Sequence, residues 1–581
     1  MLYFVLLSRL ILISWTVSLG PNHHHKMYKM REGWRMWLPV YLTGLCVDGA
    51  NITTIFAMEW STMSFGPDGP WQAVQIQIGS QNSVVSLYPG GVFSSHILAP
   101  EVCNNSSLGP ICYAEVAGLY NYELSSTSVF GNVSYQPLAD YSDGALQMGG
   151  DPPTIGTDVW NIGNGMPTLS GMDMAVHTSI WGTLLDGTTY PLSVGSLALG
   201  APGTVNQTFS YGGDRPSFNA TLLPGWLWAE APLDKMLSSN SFGLHIGSVS
   251  PSIAPSLYFG GFDQNRVLGT VSTQQGIPDM DGAIDLLDIS LSVASGASPW
   301  TFDNLAGLLA SGNSSIESKL SVAINSLAPY LHLPKSTCDA IAAQLPVTYQ
   351  AKYGLYFWNT GDPQYEKIVS STSFLSFNFR ASESANNNLT INVPFKLLNL
   401  TLTAPLTSTP TMYFPCKAET QARYQLGRAF LQAAFVGANW NAYEGHAAWW
   451  LAQAPGPNIP SQTSVLVIGN TDTTITGSTD SWTSTWKGFW TPLPQANSTG
   501  PPLSSPNQNS SGLSTGAIQN SSDRSTGAKV GIGIGVSVGA IVALISGFLL
   551  WSRQRKFPTY YSRKFMAEVD ASETARIELP S

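Results

Sequence analysis

The chain has 581 residues, room for two globular lobes with additions, because single cores rarely grow past ~250–300 residues. Only 11% of residues are Asp, Glu, Lys or Arg, against about 25% in typical soluble domains, and Gly, Pro, Ser, Thr, Asn and aromatics fill the difference. That mixture favours strands and turns over surface helices, and a net charge of -10 offers no basic face for nucleic acid, which argues against nucleic acid as a partner.

Residues 1–50 read as targeting sequence. "MLYFVLLSRLILISWTVSLG" is apolar, and Arg31 and Arg35 precede a second signal-like run, "MWLPVYLTGLCVDGA". Two signals in tandem are redundant, which points to initiation at Met30 or Met36, with an uncleaved signal anchor as the alternative. Either places the domain after residue 50 outside the cytosol.

From about Thr53 to Gln462 short strands alternate with turn residues, as in "AVQIQIGSQNSVVSLYPGG" and "SLYFGGFDQNRVLG". The expected fold class is all-β and two-lobed, with an amino-terminal lobe over 51–270 and a carboxy-terminal lobe over 271–491. Helices are expected only at Ser336–Gln344, after Pro334, and at Gly427–Phe435. Residues 492–528 shift to Pro, Ser, Asn and Gly, the composition of a solvated stalk. Residues 529–551 hold the uncharged run "VGIGIGVSVGAIVALISGFLLW", the length of one bilayer-spanning helix. Arg553, Arg555, Lys556, Arg563 and Lys564 come directly after it, so the tail 552–581 is expected in the cytoplasm, giving a single-pass type I protein of the cell surface. Gly531, Gly535 and Gly539 fall four apart, a spacing that permits helix self-association.

Asn-X-Ser/Thr acceptors for N-glycans stand at Asn51, Asn104, Asn132, Asn206, Asn219, Asn313, Asn388, Asn399, Asn497, Asn509 and Asn520. Cys46 lies in the targeting segment, leaving Cys103, Cys112, Cys338 and Cys416 for two disulfides, with three connectivities open.

Four segments together carry a family resemblance. "GPWQAVQIQIGSQNSVVSLYPGG" (Gly69–Gly91) resembles the opening of fungal pepsin-family aspartic proteases, where a "GPW" start, an "IG" turn and a V-x-F-D-T-G-S run occur in order. "SLYFGGFDQNRVLG" (Ser256–Gly269) is similar to the family's mid-chain strand-turn-strand. "VAINSLAPYLHLPKSTCDAI" (Val322–Ile341) resembles the segment around the second catalytic aspartate, and "YQLGRAFLQAAFV" (Tyr424–Val436) the element threaded behind it. The resemblance covers about Gly69–Trp450, and the added stalk and membrane helix look like the membrane-tethered fungal branch. It implies the two-lobed pepsin-like (acid protease) fold, a small loop closed by Cys103 and Cys112, and a carboxy-lobe disulfide between Cys338 and Cys416.

Aspartic proteolysis needs two carboxylates that share one proton and hold a water between them. Aligned on the flanking residues, the first falls at Tyr88, before Pro89, Gly90 and Gly91, and the second at Asn325, before Ser326, Leu327 and Ala328. A phenol titrating near ~10 and a carboxamide that does not titrate cannot do this chemistry in acid. No Asp-Thr-Gly or Asp-Ser-Gly occurs in the chain, and the stretch expected as the substrate flap, Leu146–Thr157, has no Tyr-Gly. Tyr88, Gly90, Asn325 and Ser326 are therefore expected to line a cleft without a catalytic residue, and Asn359-Thr360-Gly361 to be a turn.

Other patterns are weaker. Gly512-Leu513-Ser514-Thr515-Gly516 matches a nucleophile elbow but lies in the stalk. His23, His24 and His25 precede the expected mature start. His96, His177, His245, His332 and His446 lack the spacing of a zinc site and are expected on strands or the surface. The sequence calls for no metal and no cofactor. Trp440, Trp449, Trp450, Trp482, Trp486 and Trp490 fit packing in the carboxy lobe better than a sugar-binding face.

The expected function is a catalytically inactive aspartic-protease homologue at the plasma membrane, its cleft holding an extended peptide or cell-wall polysaccharide. One alternative is an active membrane-tethered endopeptidase using other carboxylates, with Asp143, Asp151 and Asp158 nearest in sequence. The other is a structural wall glycoprotein.

Overall fold

The computed structural model describes residues 55–131, 147–209, 217–230, 236–280, 283–382, 387–419, 423–443 and 446–495. The expected signal, the stalk beyond 495, the membrane span, the tail and acceptors Asn51, Asn132, Asn497, Asn509 and Asn520 lie outside them, as do the histidine run and the elbow-like motif. Among the described residues no helix is long and apolar enough to cross a membrane.

The strand Trp71–Ile78 shows how the sequence makes the sheets. In "WQAVQIQI" the apolar residues turn inward and the glutamines outward, the period-two burial of a half-covered strand. It pairs antiparallel with Ser83–Pro89 through a tight turn. The next hairpin is opened by a later strand: Gly195–Leu197 runs parallel to Ser83–Pro89 and antiparallel to Ser95–Leu98, which in turn runs parallel to Leu169–His177.

The second half of the chain repeats this order. Ile284–Val293 pairs antiparallel with Leu320–Ile324. Gln425–Leu426 then threads parallel to Leu320–Ile324 and antiparallel to Leu331–Pro334, and Leu331–Pro334 runs parallel to Cys416–Glu419. Threading a strand into an open hairpin demands close backbone approach. A Cβ on Gly427 would lie 2.1 Å from the Ala328 carbonyl oxygen, so only glycine fits there.

A six-stranded antiparallel sheet joins the lobes, in the order Phe56–Ala57, Ser256–Phe259, Ser241–His245, Ala434–Tyr443, His446–Gln453, Leu268–Gln275. The boundary expected between residues 270 and 271 therefore falls inside a strand of this shared sheet, because the chain crosses between lobes within it. The expected stalk also begins later than residue 492: Ala297 N donates to the Leu493 carbonyl at 2.9 Å, fastening that segment to the second lobe. The two expected helices are Lys335–Ala342 and the shorter Arg428–Leu431. A third, Pro363–Ser370, was signalled by Asp362, whose carboxylate caps Gln364 N at 2.8 Å, with proline at the first helical position. Asn359-Thr360-Gly361 is the turn before it.

Candidate functional site

The two threaded hairpins cross at the lobe junction, and their backbone bonds are equivalent. Gly90 N donates to the Leu197 carbonyl at 2.9 Å, and Asn325 N donates to the Leu426 carbonyl at 3.1 Å. Leu197 and Leu426 each end their threading strand. Ser326 Oγ reaches across the lobes to the Pro89 carbonyl at 2.6 Å, so the residue after Asn325 bonds the residue before Gly90. The counterpart of Asn325 is thus Gly90, and the expected assignment to Tyr88 is corrected by two residues; Tyr88 sits opposite Ser196. Side chains on a strand repeat every two residues, so a two-residue slip preserves the alternation on which the alignment relied.

Neither position offers an ionisable group. Gly90 has no side chain, and a Cβ there would lie 2.1 Å from Ser326 Oγ and 3.0 Å from Leu327 Cδ2. Asn325 is buried; its Oδ1 accepts from Leu327 N and its Nδ2 donates to Gln425 Oε1, both at 2.9 Å. The carboxamide thereby braces the turn that carries Leu327 toward Gly90.

Beside the crossing stands a buried cation that sequence reasoning missed. Arg428, 5% exposed, comes directly after Gly427 at the end of the second thread. Its guanidinium carbon lies 4.1 Å from the Tyr88 ring centre and 5.1 Å from that of Trp71. Nη1 donates to the carbonyls of Ser326 (3.2 Å) and Leu327 (2.8 Å), and Nη2 lies 3.7 Å from Asp68 Oδ2. Asp68 Oδ1 accepts from Trp71 Nε1 at 2.8 Å, and its main-chain carbonyl accepts from Tyr413. Thr401 N and Thr403 N bond the carbonyls of Gly69 and Pro67, so the first-lobe turn "PDGPW" is clamped onto the second lobe. Burial first, and then the Asp68 charge, push the Tyr330 and Tyr413 phenols well above their ordinary value, which keeps both neutral. One signal for this clamp was available: a lone arginine in an otherwise apolar run, a residue type seldom buried without a partner.

Little space remains at the centre. The cavity bounded by Gly66, Asp68, Tyr88, Tyr190, Leu327 and Arg428 measures about 40 Å³, room for a few waters. A groove of about 180 Å³ shares its Gly66, Pro67, Ser193 and Val194 wall and continues to Tyr113, Val116 and Pro405. On the side of the central sheet, Asp279 borders a cavity of about 20 Å³ with Gly90, Gly91 and Ser326.

Of the alternative carboxylates, Asp143 lies outside the described residues and Asp151 is exposed, just past the strand Gln147–Gly150. Asp158 is buried and accepts from Tyr120 Oη (2.5 Å), Thr127 Oγ1 (2.5 Å) and Val159 N (2.7 Å). Burial and then this carboxylate push the Tyr120 phenol far up, so it serves as a fixed donor. Asp158 is thus committed within its own lobe. In the segment expected as a flap, Gln147–Gly150 pairs with Ile180–Thr183, and Thr154–Asn161 closes the first lobe's sheet onto Leu169–His177.

Both implied disulfides are present: Cys103–Cys112 and Cys338–Cys416, with Cα atoms 5.1 and 5.7 Å apart. Trp440, Trp449, Trp450 and Trp486 are fully buried, and Trp490 stacks on Trp486, so these indoles pack the carboxy lobe. All five histidines lie on strands. His96 Nδ1 and His177 Nε2 lie 2.8 Å apart, buried. Burial pushes His177 down to about 4, and burial with the nearby Arg266 charge pushes His245 down to about 3. Asp173, buried, moves up to about 7 through burial, against bonds from Ser94 Oγ and Gln207 Nε2.

No protein-family model and no curated protein matches the chain. Among solved structures, the crystal structure of an aspartic proteinase from Irpex lacteus is similar over 69% of this chain and 98% of that one, at 13% identity and a TM-score of 0.40. The duplicated threaded hairpin around a shared central sheet stands apart from that likeness. The fold is all-β, with two lobes sharing that central sheet.

Proposed function

We propose that this chain is a non-catalytic member of the pepsin-like proteins, held at the cell surface, that binds an extended peptide or cell-wall polymer between its lobes. The observation that carries the reading is that Gly90 and Asn325 hold equivalent places in the two threaded hairpins, with Ser326 Oγ and then Leu327 occupying the space a side chain at Gly90 would need. Shared-proton catalysis requires two carboxylates on one water, and this pair supplies none. The groove from Gly66 toward Pro405 is the surface for a ligand, since its Gly, Pro and aromatic walls suit an extended chain and the cavity at the crossing admits only waters. The test is incubation of the purified full-length protein with a mixed peptide library and with cell-wall glycans at acid and neutral pH. Retention of peptides or glycans without cleavage supports the reading.

A second reading, an active endopeptidase, is favoured by one observation: Asp279 lies beside Gly90 and Ser326. A single carboxylate there would have to work alone. Cleavage abolished by Asp279→Asn would establish that reading over the first.

A further inference from the structure

The acceptor sequence Asn399-Leu400-Thr401 lies at the lobe junction rather than on an open surface. Asn399 is half-buried and borders a cavity of about 310 Å³, a size at the lower end of small-ligand sites. Gly69 and Pro70 of the first lobe wall one side, and Tyr365, Lys396, Met412 and Gln432 wall the other. Asn399 Nδ2 donates to Tyr365 Oη at 3.0 Å, which orients the amide. A carboxamide nitrogen carries two hydrogens, so one N–H of Asn399 remains beyond this bond. Glycosylation replaces one hydrogen and leaves the other, and the bond to Tyr365 survives it. Asn104, Asn219 and Asn388 differ: each is exposed.

We propose that Asn399 carries an N-linked glycan whose first sugar occupies this cavity and bridges the two lobes. In the transfer, the bond from the sugar's anomeric carbon to Nδ2 forms as its bond to a phosphate oxygen of a lipid-linked diphosphate oligosaccharide breaks. Nδ2 gives up one proton and the lipid diphosphate leaves. The cavity suits a sugar: Glu366, Lys396, Thr401 and Gln432 supply polar contacts, and Met412 an apolar one. Thr401 N is itself bonded to the Gly69 carbonyl, so the acceptor segment is already part of the junction that the sugar fills. The inference rests on passage of the chain through the secretory pathway, as the proposed surface location requires.

The full chain, made in a glycosylating eukaryotic host, is treated with peptide N-glycosidase in the native state and again after denaturation, with site-by-site mass spectrometry. Asn219 and Asn388 are expected to lose their glycans in the native state, whereas Asn399 keeps its glycan until the protein is denatured. Asn399→Gln is expected to lower Tm, Asn219→Gln to leave it unchanged, and Thr401→Ser, which preserves the acceptor, to retain the glycan. An unmodified Asn399 beside modified Asn219 and Asn388, or release at Asn399 as fast as at the exposed sites, overturns the inference alone. Absence of glycan from all three overturns it together with the secretory reading.

Discussion

The buried titratable groups predict an acid-labile protein whose acid response one substitution steepens. His177 falls from an ordinary 6.5 to about 4 and His245 to about 3, so both are neutral in the folded chain. A group whose folded value is depressed stabilises the fold fully above its unfolded value and loses that contribution as pH falls. At ~1.4 kcal/mol per unit, lowering pH from about 7 to 4 costs roughly 3 kcal/mol at each histidine. Asp173 works the other way. Its folded value, about 7, lies above the ordinary 3.8, so its contribution is full below 3.8 and is lost as pH rises through 7. Over the same interval it returns roughly 3 kcal/mol, leaving a net loss of about 3. Asp173→Asn removes that return while keeping an acceptor for Ser94 and Gln207. The stability gap between variant and native chain should therefore widen in the variant's favour by about 3 kcal/mol from pH 4 to pH 7. Urea unfolding of both full-length proteins at four pH values reads this directly. Parallel pH curves for the two would refute the reasoning, as would a native chain most stable at pH 4.

Arg428→Met should destabilise by about 3–5 kcal/mol, because it strands the Asp68 charge between the lobes, and Asp68→Asn added to it should recover part of the loss in urea titrations. Equal stability of the single and double variants would show that Asp68 is compensated elsewhere. Installing carboxylates by Gly90→Asp with Asn325→Asp should yield no peptidase and cost at least about 1–3 kcal/mol, since the new Cβ meets Ser326 and Leu327. Acid-pH cleavage by that variant would mean that the crossing accepts a dyad without repacking.

The legible parts of this chain were those carried by local pattern. Strand alternation in "WQAVQIQI" and the cysteine pairs appear in the structure as expected. The Tyr88 assignment slipped because only a period-two strand and Gly90 anchored it, and a shift of two residues leaves the same side chains inside. Recovering Gly90 took the bond from Ser326 to Pro89, a contact between lobes that no local window contains. The Asp68–Arg428 clamp was hidden for the same reason: its partners are far apart in sequence and meet only in the fold. Asp158, considered as a catalytic carboxylate, has acceptor atoms already held by Tyr120 and Thr127, which sequence spacing could not reveal.

The most direct test of the central claim is a cleavage assay. The full-length protein, its Asp279→Asn variant and a Gly90→Ala, Asn325→Ala variant are incubated with a mixed peptide library from pH 3 to 7, with and without a transition-state inhibitor of aspartic proteases, and the products are read by mass spectrometry. The account predicts that no protein cleaves any peptide at any pH. Cleavage by the native chain that the inhibitor abolishes would contradict it, and loss of that cleavage in Asp279→Asn would identify the carboxylate responsible.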